Sequence, residues 1–410
     1  MPISDTGLSN APARHAVDGR HDGSWRPHVL FVVGARPNFM KVAPVYRALN
    51  GQPGLIDTTL LHTGQHYDAA MSDVFFADLD LPAPDVHLHV GSGSHAYQTA
   101  RALEGVAEVL ERDAPDLLVV GGDVNSTLAA ALAAAKLNIP VAHIESGLRS
   151  WDWTMPEEHN RRLTDHLSTL LFAHSEGAVE NLRAEGIDDG SIFLVGNTMI
   201  DSLHRCVAEA RSAAPWKAYG LTAQGYGLVT LHRPALVDDV ELLARTIAAL
   251  RDVSEALPVL FPMHPRTRAR LAESGQPPGA AVRNVTIAEP VSYREFLGLQ
   301  LGARFVLTDS GGVQEETAAL GVPCFTLRDT TERPVTIELG TNTLLGLDPS
   351  RIRDIPRLLE RFRPPDAPIP LWDGHAGERV ASVLRSYLEA RDDPRGKPAV
   401  GRPQRSASSR

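Results

Sequence analysis

The sequence predicts an α/β protein built from two doubly wound domains that face each other across a cleft. Three observations carry this expectation. Short apolar runs alternate with amphipathic helical stretches, the spacing of repeated β-α-β units and of a parallel sheet covered on both faces. The alternation starts afresh near residue 198. At 410 residues the chain is also too long for one ordinary core, so two domains are the default.

Taken in order, residues 1–26 are polar, carry Pro, Gly, His and Asp, and have no apolar block. They read as a disordered extension and not as a secretory signal. A first domain over 27–197 has strands at 28–33, 58–62, 116–120, 140–144, 169–173 and 192–195, with helical stretches such as 95–112, 126–137 and 156–168 between them. Its first strand runs into Gly34-Ala35-Arg36-Pro37-Asn38-Phe39-Met40-Lys41. No G-x-G-x-x-G follows, which speaks against a conventional dinucleotide site. Arg36 and Lys41 sit in and after this turn, where two scattered basic residues are ordinarily solvated surface charge. Pro44 lacks the N–H that a helix interior needs, so a kink or local irregularity is expected there.

The strand at 116–120 hands over to Gly121-Gly122-Asp123-Val124-Asn125-Ser126, where Asp123 is either a helix cap or a working acid. The next strand carries His143-Ile144-Glu145-Ser146-Gly147-Leu148-Arg149. A glutamate at a strand's carboxyl end among apolar neighbours favours function over a solvated face. Met155-Pro156-Glu157-Glu158-His159-Asn160-Arg161-Arg162 opens a helix with Pro first, acids in the first turn, and an arginine four residues after each glutamate. At least one of these glutamates is expected to serve the helix alone. Val195-Gly196-Asn197-Thr198 is the crossing point to the second domain.

The second domain, 198–374, has strands at 226–231, 259–263, 285–288, 305–308 and 324–327, and helices that include 240–257 and 313–320. Two strands end in His232-Arg233-Pro234 and His264-Pro265-Arg266. One histidine at a strand end is usually structural; two at equivalent places strengthen a functional reading. The most telling stretch is Thr308-Asp309-Ser310-Gly311-Gly312-Val313-Gln314-Glu315-Glu316, between an apolar run and an Ala-rich one. It reads as strand, glycine turn, helix, with Ser310 as N-cap. Glycines admit close backbone approach, and free N–H groups at the helix start attract phosphate. Glu316, one turn further in, could take the two hydroxyls of a ribose. A last helix, about 375–391, is expected to pack back on the first domain, and the basic Pro/Ser/Gly/Arg stretch 394–410 reads as a disordered tail.

Composition narrows the functions. Apolar content of 43% and charged content of 22% are normal for a soluble globular protein. The formal net charge of −10 gives no electrostatic reason to expect nucleic acid or an anionic membrane as partner. A phosphate site must therefore be a local positive pocket on an acidic protein. No run is long enough to span a bilayer. Cys206 and Cys324 lie far apart in apolar contexts, as small core residues of a reducing, cytoplasmic address. The histidines show no metal spacing with cysteines or carboxylates, so no metal is expected. Several carboxylates, two histidines, two basic residues and a phosphate turn favour acid–base work on a sugar carried by a nucleoside diphosphate.

With these residues assembled, the chain resembles the non-hydrolysing UDP-N-acetylglucosamine 2-epimerase family from about residue 28 to residue 372. The likeness rests on motifs in order: Gly34-Ala35-Arg36-Pro37, Thr63-Gly64-Gln65-His66-Tyr67-Asp68, Gly122-Asp123, His143 to Arg149, Pro156-Glu157-Glu158-x-Asn160-Arg161, Val195 to Thr198, His232-Arg233, His264-Pro265, Asp309 to Glu316, and Arg328-Asp329-Thr330-Thr331-Glu332-Arg333-Pro334. The resemblance implies two Rossmann-like domains in the GT-B-like arrangement of one large class of glycosyltransferases. It implies interconversion of UDP-GlcNAc and UDP-ManNAc without a cofactor, by a homodimer. Carried onto matching positions, it assigns Asp123, Glu145, Glu157 and His232 to the reacting sugar. It assigns Arg36, Lys41, His66, His264, Ser310, Gly311, Gly312 and Glu316 to the UDP-sugar around it. One departure stands out: many members carry Glu-Asn after His-Arg, where this chain has Pro234-Ala235 and then Asp238-Asp239. The alternatives are a glycosyltransferase of the same architecture, a hydrolysing epimerase releasing ManNAc and UDP, and an inactive nucleotide-sugar sensor.

Overall fold

The computed structural model describes residues 26–51, 54–64, 79–273 and 284–392. The extension expected over 1–26 lies outside them except for Arg26, as does the tail over 394–410. The chain forms two compact units. One comprises the described residues up to Gly147, then Asp152–Thr198, then the chain from His375; the other comprises Leu148–Trp151 and Met199–Gly374.

The first unit is built on a seven-stranded parallel sheet of β1 (His28–Val33), β2 (Asp57–His62), β3 (Val86–His87), β4 (Leu117–Gly121), β5 (Val141–Ser146), β6 (Leu170–Ala173) and β7 (Ile192–Leu194), in the order β3-β2-β1-β4-β5-β6-β7. From Val29 to Val33 every residue of β1 is buried, as a strand covered on both faces requires. Leu30, Val32, Leu118 and Val120 pack with Val106, Val109 and Leu110 of the helix His95–Asp113. Each such side chain contributes about 1.5–3 kcal/mol on burial. β3 was not expected; at two residues it is too short to leave a periodic signal.

The second unit repeats the plan with β8 (Gly227–Thr230), β9 (Val259–Pro262), β10 (Val285–Ala288), β11 (Phe305–Thr308), β12 (Cys324–Thr326) and β13 (Asn342–Leu344), all parallel, in the order β10-β9-β8-β11-β12-β13. The expectation missed β13, another three-residue strand without an apolar run. Cys206 and Cys324 are both buried core residues. In each sheet the strand order reverses once, between β1 and β4 and between β8 and β11. Chain segments leave to either side of such a point, opening a crevice beyond the carboxyl ends of the strands where ligands of doubly wound folds bind.

The helix Arg36–Asn50 runs unbroken through Pro44, against the irregularity expected there. Pro44 instead serves packing. The last helix, Ala376–Asp392, crosses it so closely that a Cβ on Gly377 would lie 2.7–2.9 Å from Pro44 atoms. Arg385 donates to the Ala48 carbonyl and Arg379 to that of Val195 (3.0 Å), which ties this helix to the first unit. Among the described residues, no helix is long and apolar enough to cross a membrane.

Candidate active site

At the switch point of the first sheet, the turn after β1 is closely packed. A Cβ on Gly34 would stand 2.2 Å from Ser126 Oγ and 2.8 Å from Thr63 Oγ1, so only glycine fits. Asn38 Oδ1 accepts from the Gly34 and Ala35 N–H groups (3.2 Å each), and its Nδ2 donates to the Gly121 carbonyl. Asn38 thus ties the β1 turn to the β4 turn. Arg36 opens the helix here, with its side chain outside the described set. His66 also lies outside the described residues. Lys41, assigned by the resemblance to the UDP-sugar, is buried and ion-paired with Glu145, not a solvated surface charge.

Glu145 sits at a β-bulge, where the β5–β6 register shifts between Ile144 and Ser146, and has φ of +65°. That left-handed conformation costs a residue with a Cβ about 1–2 kcal/mol. Gly122, also at positive φ, lies against this pair: a Cβ there would be 2.7 Å from Lys41 Nζ and 3.3 Å from Glu145 Oε2. The β4 turn, the first helix and the β5 bulge therefore converge on one carboxylate.

Asp123 follows Gly122. Its carboxylate receives Arg161 Nη2 at 2.5 Å, and its backbone carbonyl accepts from Asn160 at 2.9 Å. Both partners stand on the helix Pro156–Leu167. The same helix separates the roles of its two first-turn glutamates. Glu158 is fully buried and binds Arg161 (2.7 Å) and Arg162 (3.0 Å). Glu157 is half-buried and makes no hydrogen bond or ion pair with any described residue. The i,i+4 pairing of Glu157 with Arg161 is thus not formed, and Arg161 is drawn to Asp123 and Glu158 instead. Glu158 is the glutamate that serves the helix.

At the switch point of the second sheet, His232 follows β8 and Asp309 follows β11. The two strands pair Thr230 with Thr308, so the next residues of each chain segment come side by side. Asp309 Oδ2 accepts from the backbone N–H groups of His232 and Arg233, each at 2.8 Å, and Oδ1 lies 3.1 Å from His232 Nδ1. A carboxylate only accepts, so this contact favours the tautomer with its hydrogen on Nδ1, which leaves Nε2 as the ring's acceptor. Burial pushes the Asp309 carboxyl upward, but His232 and the two amides outweigh it and hold the group below the usual carboxylate value. His264, exposed after β9, has its ring centroid 5.9 Å from that of His232.

The turn after β11 leads into the helix Gly311–Leu320. Ser310 holds the N-cap position as expected, but its side chain makes no capping bond; its N–H donates to Thr308 Oγ1 at 3.0 Å. Gly311 is needed for close approach, though of a side chain: a Cβ there would meet Arg333 Nη1 at 2.5 Å and Glu332 Oε1 at 3.0 Å. A Cβ on Gly312 would lie 3.2 Å from Met199 Cε. Glu316 is buried and accepts from Gln300 Nε2 at 2.6 Å, which sets its orientation.

Beside this turn Arg233 (3.6 Å), Arg328 (2.8 Å) and Arg333 (2.5 Å) converge on Glu332, and Arg333 also reaches Glu315 at 2.9 Å. Burial lowers the Arg328 guanidinium below its usual value; Glu332 opposes that shift, and the like charges of Arg233 and Arg333 add to it. Three arginines and two carboxylates thus form one largely buried cluster beside this turn. Among the described residues, no group of three or more His, Cys, Asp or Glu side chains could hold a metal ion.

A family model described as UDP-N-acetylglucosamine 2-epimerase matches residues 47–385, more than half of the chain. The chain belongs to the UDP-N-acetylglucosamine 2-epimerase family. It is thereby a member of an enzyme family of isomerases. It is 42% identical over 360 residues to the UDP-N-acetylglucosamine 2-epimerase of Methanocaldococcus jannaschii, covering 86% of this chain and 97% of that one. It is 41% identical over 322 residues to the UDP-2,3-diacetamido-2,3-dideoxy-D-glucuronate 2-epimerase of Pseudomonas aeruginosa, covering 78% and 88%. Its fold is similar to the crystal structure of the M. jannaschii epimerase in complex with UDP-GlcNAc and UDP, with a TM-score of 0.81 at 41% identity, covering 88% of this chain and 99% of that one.

Within this epimerase chain, sequence reasoning gave no role to Asn38, Asp309 or the arginines around Glu332, and gave Arg161 only a helix pairing with Glu157. The string from Arg328 to Arg333 carries a visible signal, two arginines bracketing a glutamate at i+4 and i+5. Asp309 and Asn38 carry none, because their partners lie on strands whose adjacency is not written locally. In the Pro234-Ala235 departure, Pro234 opens a short helix, Asp239 caps the next one, and Asp238 binds Arg266 and Arg270.

Proposed function

We propose that this chain inverts C2 of UDP-N-acetylglucosamine to give UDP-N-acetylmannosamine, without hydrolysis, by eliminating UDP to a 2-acetamidoglucal and adding it back. The single observation that supports the reading is three carboxylates in three different states, Asp123 and Glu145 at the ends of β4 and β5 and Glu157 on the helix whose Arg161 holds Asp123. Glu157 has no described partner, Asp123 is held by Arg161, and Glu145 is paired with Lys41. A plain glycosyl transfer needs one base, whereas inversion of C2 needs proton handling on both faces of that carbon.

The chemistry follows from what these groups can do. The C2 proton is not acidic enough for direct removal at neutral pH. Departure of UDP from C1 builds positive charge beside C2 and acidifies it. A carboxylate stabilises that charge while another takes the proton, and a different, solvent-derived proton is delivered from the opposite face as UDP re-adds. In the first domain, residues 27–197 with the last helix, Arg36 and Lys41 serve UDP-sugar binding. In the second, residues 198–374, the N–H groups after Ser310, with Gly311 and Gly312, the arginines around Glu332, and His264 offset diphosphate charge. His232, steered by Asp309, presents Nε2 for proton exchange with the departing group. Glu316 takes the ribose hydroxyls. The active form is a cytoplasmic homodimer, to be checked by light scattering.

An NMR time course with UDP-GlcNAc in deuterated water tests this. UDP-ManNAc should form with deuterium at C2, with no net release of UDP or free sugar. Retention of the C2 hydrogen overturns the carboxylate chemistry, and stoichiometric ManNAc with UDP indicates a hydrolysing enzyme. The 41% identity to the P. aeruginosa uronate epimerase motivates a second arm. UDP-2,3-diacetamido-2,3-dideoxy-D-glucuronate is offered in competition, and the sugar with the larger kcat/KM is the substrate.

A further inference from the structure

We propose that His143 and Asp165 form a buried positioning dyad that holds a hydrogen between them and fixes the two turns that carry Asp123 and Glu145. This deepens the epimerase reading and rests on it for the role of those acids. Both side chains are fully buried. His143 stands on β5 and Asp165 on the helix Pro156–Leu167. His143 Nε2 is 2.8 Å from the Gly122 carbonyl oxygen, and Nδ1 is 2.7 Å from Asp165 Oδ1. Asp165 Oδ2 accepts from the Gly147 N–H at 3.1 Å.

The hydrogen count follows from donor chemistry. A carbonyl oxygen can only accept, so Nε2 carries a hydrogen. With that hydrogen alone on the ring, Nδ1 would face a carboxylate oxygen lone pair to lone pair at 2.7 Å. A second hydrogen therefore lies between Nδ1 and Oδ1. The chain of bonds then runs from the Gly122 carbonyl through the ring and the carboxyl to the Gly147 N–H.

Its two ends bracket the strained parts of the site. Gly122, at φ of +67°, immediately precedes Asp123. Gly147, at φ of +81°, closes the bulge that begins at Glu145, itself at +65°. A Cβ on Gly147 would sit 2.3 Å from the Ala178 carbonyl oxygen, so this peptide has little room to shift. Conformations of this kind persist only when their surroundings over-determine them. The dyad supplies that constraint from behind, without reaching the sugar.

Asp165→Asn separates position from hydrogen count. The asparagine oxygen can still accept from Gly147, and its amide can donate to Nδ1 of a neutral ring that keeps its Nε2 hydrogen on Gly122. Asp165→Ala breaks the chain. In the UDP-GlcNAc assay, Asp165→Ala should lose kcat by on the order of a hundredfold with KM within about threefold, the size of a small misplacement of reacting groups. Asp165→Asn should stay within about fivefold of the parent. In ¹⁵N-histidine-labelled parent, Nε2 of His143 should be protonated, and a ring hydrogen bonded to Asp165 should vanish in Asp165→Asn while the Nε2 hydrogen persists. A folded Asp165→Ala with parental kcat, an Asp165→Asn as slow as the alanine variant, or an unprotonated Nε2 each overturn the proposal. If the parent itself fails to turn over UDP-GlcNAc, the epimerase reading falls, and the NMR measurement still decides the dyad.

Discussion

Asp309→Asn is the most informative perturbation. Asp309 Oδ2 accepts from two backbone N–H groups at 2.8 Å, and Oδ1 lies 3.1 Å from the His232 ring nitrogen Nδ1. A bond to a charged acceptor contributes about 1.5–3 kcal/mol against about 1 for a neutral one, so weakening the two amide bonds costs about 1–3 kcal/mol together. The larger effect falls on the ring. The asparagine amide offers hydrogens where the carboxylate offered lone pairs, so Nδ1 must become the acceptor and the ring hydrogen moves to Nε2. His232 then presents a donor at Nε2 where the parent presents an acceptor. An acid-steered histidine put into the wrong tautomer loses roughly 10²–10⁴ in kcat. UDP affinity by calorimetry should remain within a few-fold. A kcat within threefold of the parent, with the fold intact, would refute the tautomer reasoning. The same residue sets an acid dependence. Its folded value lies below the ordinary carboxylate value of 3.8, so its stabilisation is fully present above that value and is lost as pH falls through the lower, folded one. The stability gap between parent and Asp309→Asn should be flat from about pH 7 to about pH 5 and close below about pH 4. A gap unchanged at about pH 3, read by denaturant unfolding, would contradict it.

Three further outcomes are expected. Glu158→Gln removes the carboxylate shared by buried Arg161 and half-buried Arg162, which keep only Asp123 and Glu185, and should cost about 1–3 kcal/mol of stability, whereas Glu157→Gln should unfold like the parent yet lose turnover by roughly a hundredfold. Thermal melts beside NMR rates separate the two, and the reverse pattern would interchange their roles. Gly34→Ala should destabilise by about 1–3 kcal/mol through its overlap with Ser126, and adding Ser126→Gly should restore part of it; independent effects would remove the steric account. Glu316→Ala should weaken UDP binding by roughly tenfold or more, and a calorimetric affinity equal to the parent's would dismiss the ribose contact.

Strand positions were legible in the sequence because buried parallel strands are nearly continuous apolar runs. The run from Val29 to Val33 could hardly be anything else. β3 and β13 escaped because two or three residues carry no period. The positions of Asp123, Glu145 and His232 were legible too, since each interrupts an apolar pattern at a strand's end. Their partners were not. Nothing local points Lys41 to Glu145, 104 residues away in sequence; setting β1 and β5 on either side of β4 brings them together. Asp309 and His232 meet only because β8 and β11 are neighbours. Local pattern shows which residue is unusual, whereas strand order decides what it touches.

The return of the last helix to the first unit has a consequence for synthesis. Arg385 and Ala48 are 337 residues apart in sequence. At about 5–20 residues per second, the Pro44 face of the nascent first sheet waits roughly 20–70 s for its covering helix. All of Met199–Gly374 leaves the ribosome within that interval. The module translated in the middle can therefore mature first, while the one begun at the amino end stays open until the helix Ala376–Asp392 is made. Ribosomal stalling or premature termination before that helix would leave a finished second unit and an uncovered apolar face on the first, and chaperone demand should concentrate there.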